Sequence, residues 1–178
     1  MQLKIRLFII VICSLALTLT FSAAFANDLI ISIEGVSGEE LANIEKSLSI
    51  AGATEEKSWF DALPLNQTLP LKADVTDAKL ERLHSIAKNE ISLALEPFGY
   101  YQPEIDAKLS REGEVWTANY AISLGEPVRI DEVRVTVSGA GNDEQAIISA
   151  AEPELKSGQR LLHEAYSAKK DSLLEAAR

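Results

Sequence analysis

Hydrophobic and polar positions alternate over two stretches of the chain, and each stretch ends at glycine. Leu29, Ile31 and Ile33 lead to Gly35; Val133, Val135 and Val137 lead to Gly139. A period of two is the pattern of a strand with one buried face. A polar stretch follows each run, and then the period becomes helical. After Gly35, Ser37 is placed to cap a helix whose first turn carries Glu39 and Glu40, where the positive end of the helix favours them. Leu41, Ile44 and Leu48 then recur at helical spacing, and Gly52 can stop the helix. After Gly139, Asn142 can cap a helix over residues 143–151 with Ile147 and Ile148 inward. The two glycines lie roughly 100 residues apart, the size of a small domain. The chain therefore reads as a tandem of small modules.

The strongest periodicity lies between these repeats. Leu80, Leu83, Ala87, Ile91, Ala94 and Leu95 form one apolar stripe, with Thr76 or Asp77 as cap and Pro97 and Gly99 at the end. Alternation returns in residues 102–110, with Ile105, Ala107 and Leu109 on one face. It continues in residues 115–124, where Trp116, Ala118, Tyr120, Ile122 and Leu124 share a face. Arg111 to Glu114 supplies the hairpin turn between them. Residues 53–75 show no clear period. Pro64 and Pro70 interrupt them, so they read as a long connection with one short helical turn at residues 58–63 and Trp59 and Phe60 folded onto the core.

The first module is thus strand–helix–helix–strand–strand over residues 27–125. Gly125-Glu126-Pro127 marks the boundary. The second, over residues 126–178, offers a strand at 128–137 and two helices, the later one beginning near Leu162 and carrying Tyr166 and Leu173. It is expected to be incomplete, ending before its hairpin, because a lone strand leaves backbone groups unpaired.

Residues 1–26 have the form of a secretory signal peptide: Lys4 and Arg6, an apolar run from Leu7 to Thr20, then Ala24-Phe25-Ala26. The apolar run is shorter than a spanning helix needs. Cleavage there would remove the only cysteine and two positive charges, leaving a chain still more acidic than the full-length net charge of −10. Such a balance disfavours nucleic acid and anionic membrane surfaces, since no basic patch is available to replace phosphate counterions.

Catalytic and metal chemistry find no support. His84 and His163 fall in different modules, and His84 is expected to be exposed. Glu39-Glu40 and Glu55-Glu56 are sequence neighbours rather than facing carboxylates. No histidine or cysteine cluster suits a metal, and no phosphate- or dinucleotide-binding glycine motif implies a cofactor. Binding is the better prospect. Residues 102–110 read as an edge strand with their hairpin partner inside, and an edge offers unpaired amides and carbonyls to an extended peptide. Gln102, Glu104, Asp106, Lys108 and Ser110 line that candidate edge. The same alternating charges also fit a guard against aggregation. Gly99, Tyr100 and Tyr101 form a structural junction: Gly99 lets the chain leave the helix, and the tyrosines point to opposite sides as it becomes extended.

The stretch Phe98-Gly99-Tyr100-Tyr101-Gln102-Pro103-Glu104-Ile105 resembles the helix-to-strand junction of the first POTRA domain in TamA-like outer-membrane subunits of the translocation and assembly module. Gly125-Glu126-Pro127-Val128-Arg129-Ile130-Asp131-Glu132-Val133 is similar to that family's passage into its second POTRA. Leu155-Lys156-Ser157-Gly158-Gln159-Arg160-Leu161 is similar to the inter-helix turn. The resemblance implies an α+β fold of tandem POTRA modules (β-α-α-β-β), the second truncated before its hairpin, and no enzyme activity. It implies a periplasmic location at the outer membrane and a role in β-barrel and autotransporter assembly. The partners implied are a TamB-like inner-membrane-anchored protein, unfolded outer-membrane polypeptides, and a C-terminal barrel not contained in this sequence. The alternative is a POTRA scaffold of cell division or secretion tethered by an uncleaved N-terminal helix.

Overall fold

The computed structural model describes residues 27–55, 63–136, 139, 149 and 155–177. The proposed signal peptide, the helical turn at 58–63 except Leu63, and the helix at 143–151 except Ser149 lie outside them. The fold is α+β. A four-stranded sheet in the order β2-β1-β4-β3 is built from β1 (Asp28–Glu34), β2 (Thr68–Pro70), β3 (Glu104–Glu112) and β4 (Val115–Ser123). Helices α1 (Gly38–Ser47) and α2 (Asp77–Leu95) pack with this sheet, and α3 (His163–Ala176) lies in the segment that follows it.

The alternation of β1 places Leu29, Ile31 and Ile33 in the core, and that of β4 adds Trp116, Ala118, Tyr120 and Ile122. These two strands run parallel, Ile31 beside Ala118 and Ile33 beside Tyr120. Such a pair needs a crossover, which the helical segment supplies. Helix α2 closes the layer with Leu80, Ala87, Ile91, Ala94 and Leu95, and the Thr76 side chain accepts its cap bond from the Lys79 N–H at 3.2 Å. Helix α1 contributes Ile44, and Leu48 follows it into the core. It leans on α2 through Asn43, whose Nδ2 donates to the Ala94 carbonyl at 2.7 Å. Ser37 occupies the expected cap position of α1 but makes no side-chain cap bond.

Three local expectations change. The connection over 53–75 contains β2, antiparallel to β1 with Leu69 opposite Leu29. Helix α1 does not run on to Gly52; it stops at Ser47, and a separate 3-10 turn covers Ser49–Ala53. The expected strand at 128–137 does not form over its described residues, where Arg129 makes an isolated bridge to Arg160. The amides and carbonyls of Val128 and Ile130 bond Gly99 and residues 158–161 instead, and among the described residues no strand extends that pairing into a ladder.

Candidate peptide-binding edge and module joint

Strand β3 forms one outer edge of the sheet, and its hairpin partner β4 lies inside, as the sequence leads one to expect. Gly113, at φ +61°, opens the two-residue turn between them. The strand begins at Glu104 rather than at Gln102, because Pro103 has no N–H to donate to a ladder. Gln102 therefore sits just outside it. Glu104, Asp106, Lys108 and Ser110 are exposed, while Ile105, Ala107 and Leu109 are half-buried against the core. One face of β3 is wet, the other is apolar, and among the described residues its outer margin faces no strand.

The charges of the wet face are arranged. Lys108 Nζ donates to Asp106 Oδ2 at 2.6 Å. That bond holds the Asp106 carboxyl below its usual range and the Lys108 ammonium above its own. Asp106 and Glu34 both register with Ala121 of β4, so they flank one small residue in a single row. This row forms part of an open groove at the N-terminal end of β3, together with Glu104 and Ser123. Gly35, at φ +88°, lines the groove where the chain turns after β1. A Cβ there would lie 1.9 Å from the Ile122 carbonyl oxygen.

The junction does more than leave a helix. A 3-10 turn over Glu96–Phe98 takes Pro97 after α2, and Gly99 follows in the left-handed region at φ +84°. Tyr100 packs on the core, and Tyr101 is 37% exposed. Both reach the segment at 155–177. The Tyr100 hydroxyl accepts from Arg160 Nη1 at 3.1 Å, and the same nitrogen donates to Glu40 Oε1 at 3.0 Å. The guanidinium lies 5.4 Å from the centroid of the Tyr100 ring. Tyr101 Oη and His163 Nε2 share a hydrogen bond of 2.6 Å. The Gly99 carbonyl accepts from the Val128 N–H at 2.8 Å, and the Val128 carbonyl accepts from Leu161 N–H at 2.9 Å. A Cβ on Gly99 would fall 2.7 Å from the Leu161 oxygen. Glu40 and Arg160 stand far apart in the chain, and no spacing rule reveals their pairing.

His84 departs from expectation. It is half-buried, and its Nδ1 shares a hydrogen bond of 3.1 Å with the hydroxyl of buried Tyr120. Burial, with the Lys88 charge nearby, lowers its pKa, and burial raises that of Tyr120. The pair ties α2 to β4. Among the described residues no group of His, Cys, Asp and Glu could hold a metal ion.

Residues 30–124 match the family model for POTRA domain TamA domain 1, more than half of the chain. The chain belongs to that family. The match runs from within β1 through β2, β3 and β4, and includes α1, α2 and the Gly99-Tyr100-Tyr101 junction. POTRA domains of TamA-type assembly factors are non-catalytic scaffolds, periplasmic parts of outer-membrane proteins that serve outer-membrane protein assembly.

Proposed function

We propose that this chain is the periplasmic receiving end of a β-barrel assembly factor, with a POTRA domain at 27–125 and the beginning of a second at 126–178. Residues 1–26 direct it out of the cytoplasm and are removed. A barrel in the same polypeptide anchors it to the outer membrane, and a TamB-like protein anchored in the inner membrane docks on it. The role is to hold extended outer-membrane polypeptides, autotransporters among them, before insertion.

The observation that carries this reading is the free margin of β3. Its outward amides and carbonyls can take one more strand, with half-buried Ile105, Ala107 and Leu109 beside it to receive apolar side chains. Backbone pairing tolerates many sequences, which suits a factor with many substrates. The opposite margin is poorly suited, since β2 is only three residues long and ends in Pro70.

A photo-crosslinking residue at Lys108, compared with one at exposed Lys46 on α1, tests the proposal in cells that are assembling outer-membrane proteins. Crosslinks to unfolded barrel polypeptides from position 108 and not from position 46 are expected. Equal yields from the two, or none from 108, would overturn it.

A further inference from the structure

Resting on the edge-strand reading above, we propose that β3 takes its partner strand antiparallel and reads the order of charges along it. The partner fitted to this edge carries an acidic side chain opposite Lys108 and, two residues later, a basic one opposite Asp106, with apolar residues between. The occupant is an amphipathic strand of another polypeptide.

Directly opposed residues in an antiparallel ladder project to the same face, with Cβ atoms about 5 Å apart. Residues opposite Glu104, Asp106, Lys108 and Ser110 would therefore share the wet face. Those opposite Ile105, Ala107 and Leu109 would extend the apolar layer. An edge of uniform charge selects only the net charge of its partner. This edge reads acid, acid, base, so it also selects order.

The neighbouring strands sharpen the difference. The row of Asp106 continues through Ala121 to Glu34 and carries no cation, and Glu104 stands two residues away on the same face, so a basic side chain placed there faces Asp106 with Glu104 beside it. The row of Lys108 continues through Asn119 to Ser32, which carry no charge, so an acidic side chain placed there meets a cation without a nearby acid in its row. The Lys108–Asp106 bridge is no obstacle. Both side chains are more than half exposed, and each can accept a second opposite charge. The wrong order would set like charges face to face at both positions, which is destabilising. Antiparallel pairing is somewhat the more stable per residue, and a parallel partner would need the reverse order, so charge order also reports direction.

Two peptides of identical composition test this on the purified protein at low salt, where charge pairing is least screened. The first reads threonine-valine-glutamate-valine-lysine-valine-lysine. The second exchanges the glutamate with the lysine that follows the next valine. Affinity and β3 amide shifts are followed by NMR titration. The native protein is expected to bind the first about tenfold more tightly, and the Asp106→Lys/Lys108→Asp double variant should prefer the second. Equal binding, with β3 amides shifted, would sink the charge reading and leave the edge reading standing. A native preference for the second peptide would overturn the antiparallel direction. Binding of neither would overturn both.

Discussion

Arg160, in the segment that follows the sheet, reaches Glu40 of α1, guanidinium nitrogen to carboxylate oxygen at 3.0 Å, across the ring of Tyr100. The Glu40 side chain is only 18% exposed and that of Arg160 33%, so this ion pair is better shielded than the others on the surface. It ties the turn at 155–162 to the first turn of α1. Arg160→Ala should cost about 1 kcal/mol or less of global stability while loosening the joint. Spin labels at Lys46 and Lys170 would show it as a broadened distance distribution. An unchanged distribution would mean that the backbone bonds at Gly99 and Val128 hold the joint alone.

Two glycines separate the stability of the sheet from that of the joint. Gly35→Ala forces a Cβ to 1.9 Å from the Ile122 carbonyl oxygen, at a φ that L-residues avoid. The obstructing atom is backbone in a central strand and cannot swing aside. A loss of about 3 kcal/mol or more is expected, read as a lowered urea midpoint. Gly99→Ala meets the Leu161 oxygen at 2.7 Å, in the turn before α3. It should displace that turn and α3, again visible between Lys46 and Lys170, with a smaller shift in the urea midpoint than Gly35→Ala.

The pH dependence follows from His84. Burial lowers its pKa from 6.5 in the folded protein, and the charge of Lys88 acts in the same direction. The unfolded chain therefore takes up a proton first as pH falls. The contribution is fully present above about pH 6.5, declines as pH falls below that value, and levels off once the folded His84 also titrates. His84→Asn should flatten the stability profile just below pH 6.5. A native-like slope in the variant would place the titrating group elsewhere.

How much of this was legible in the sequence depended on the length of each pattern. Helix α2 repeats its apolar stripe over five turns, β3 alternates from Glu104 to Ser110 and β4 over all nine of its residues, so little else could satisfy them. Strand β2 escaped because three residues ending in proline carry no period, and only the open margin of β1 makes them a strand. His84 looked like a surface residue because it lies beside the apolar stripe. Its burial is decided by Tyr120, which β4 brings beneath it. The candidate edge was readable because a hairpin following a crossover leaves one strand outside. The Arg160–Glu40 pairing was not, because both residues look like ordinary surface charges until the fold is in place.

Trp116 sets the last prediction. It is 8% exposed, and its indole Nε1 is buried with no hydrogen-bond partner among the described residues. The guanidinium of Arg111, directly opposite in the hairpin register, lies 5.2 Å from the ring centroid and is itself held by Asp77 and Asn27. The ring thus contributes apolar area and a cation–π contact, while its N–H contributes an unmet desolvation cost. Trp116→Phe removes the orphan donor and keeps an aromatic face for Arg111, though it leaves a small void. The two effects oppose each other, and a net change within about 1 kcal/mol is expected. Trp116→Ala loses the packing as well and should cost about 3–5 kcal/mol. Urea unfolding of both variants separates the contributions. A Trp116→Phe loss as large as that of Trp116→Ala would show that the indole nitrogen does have a partner.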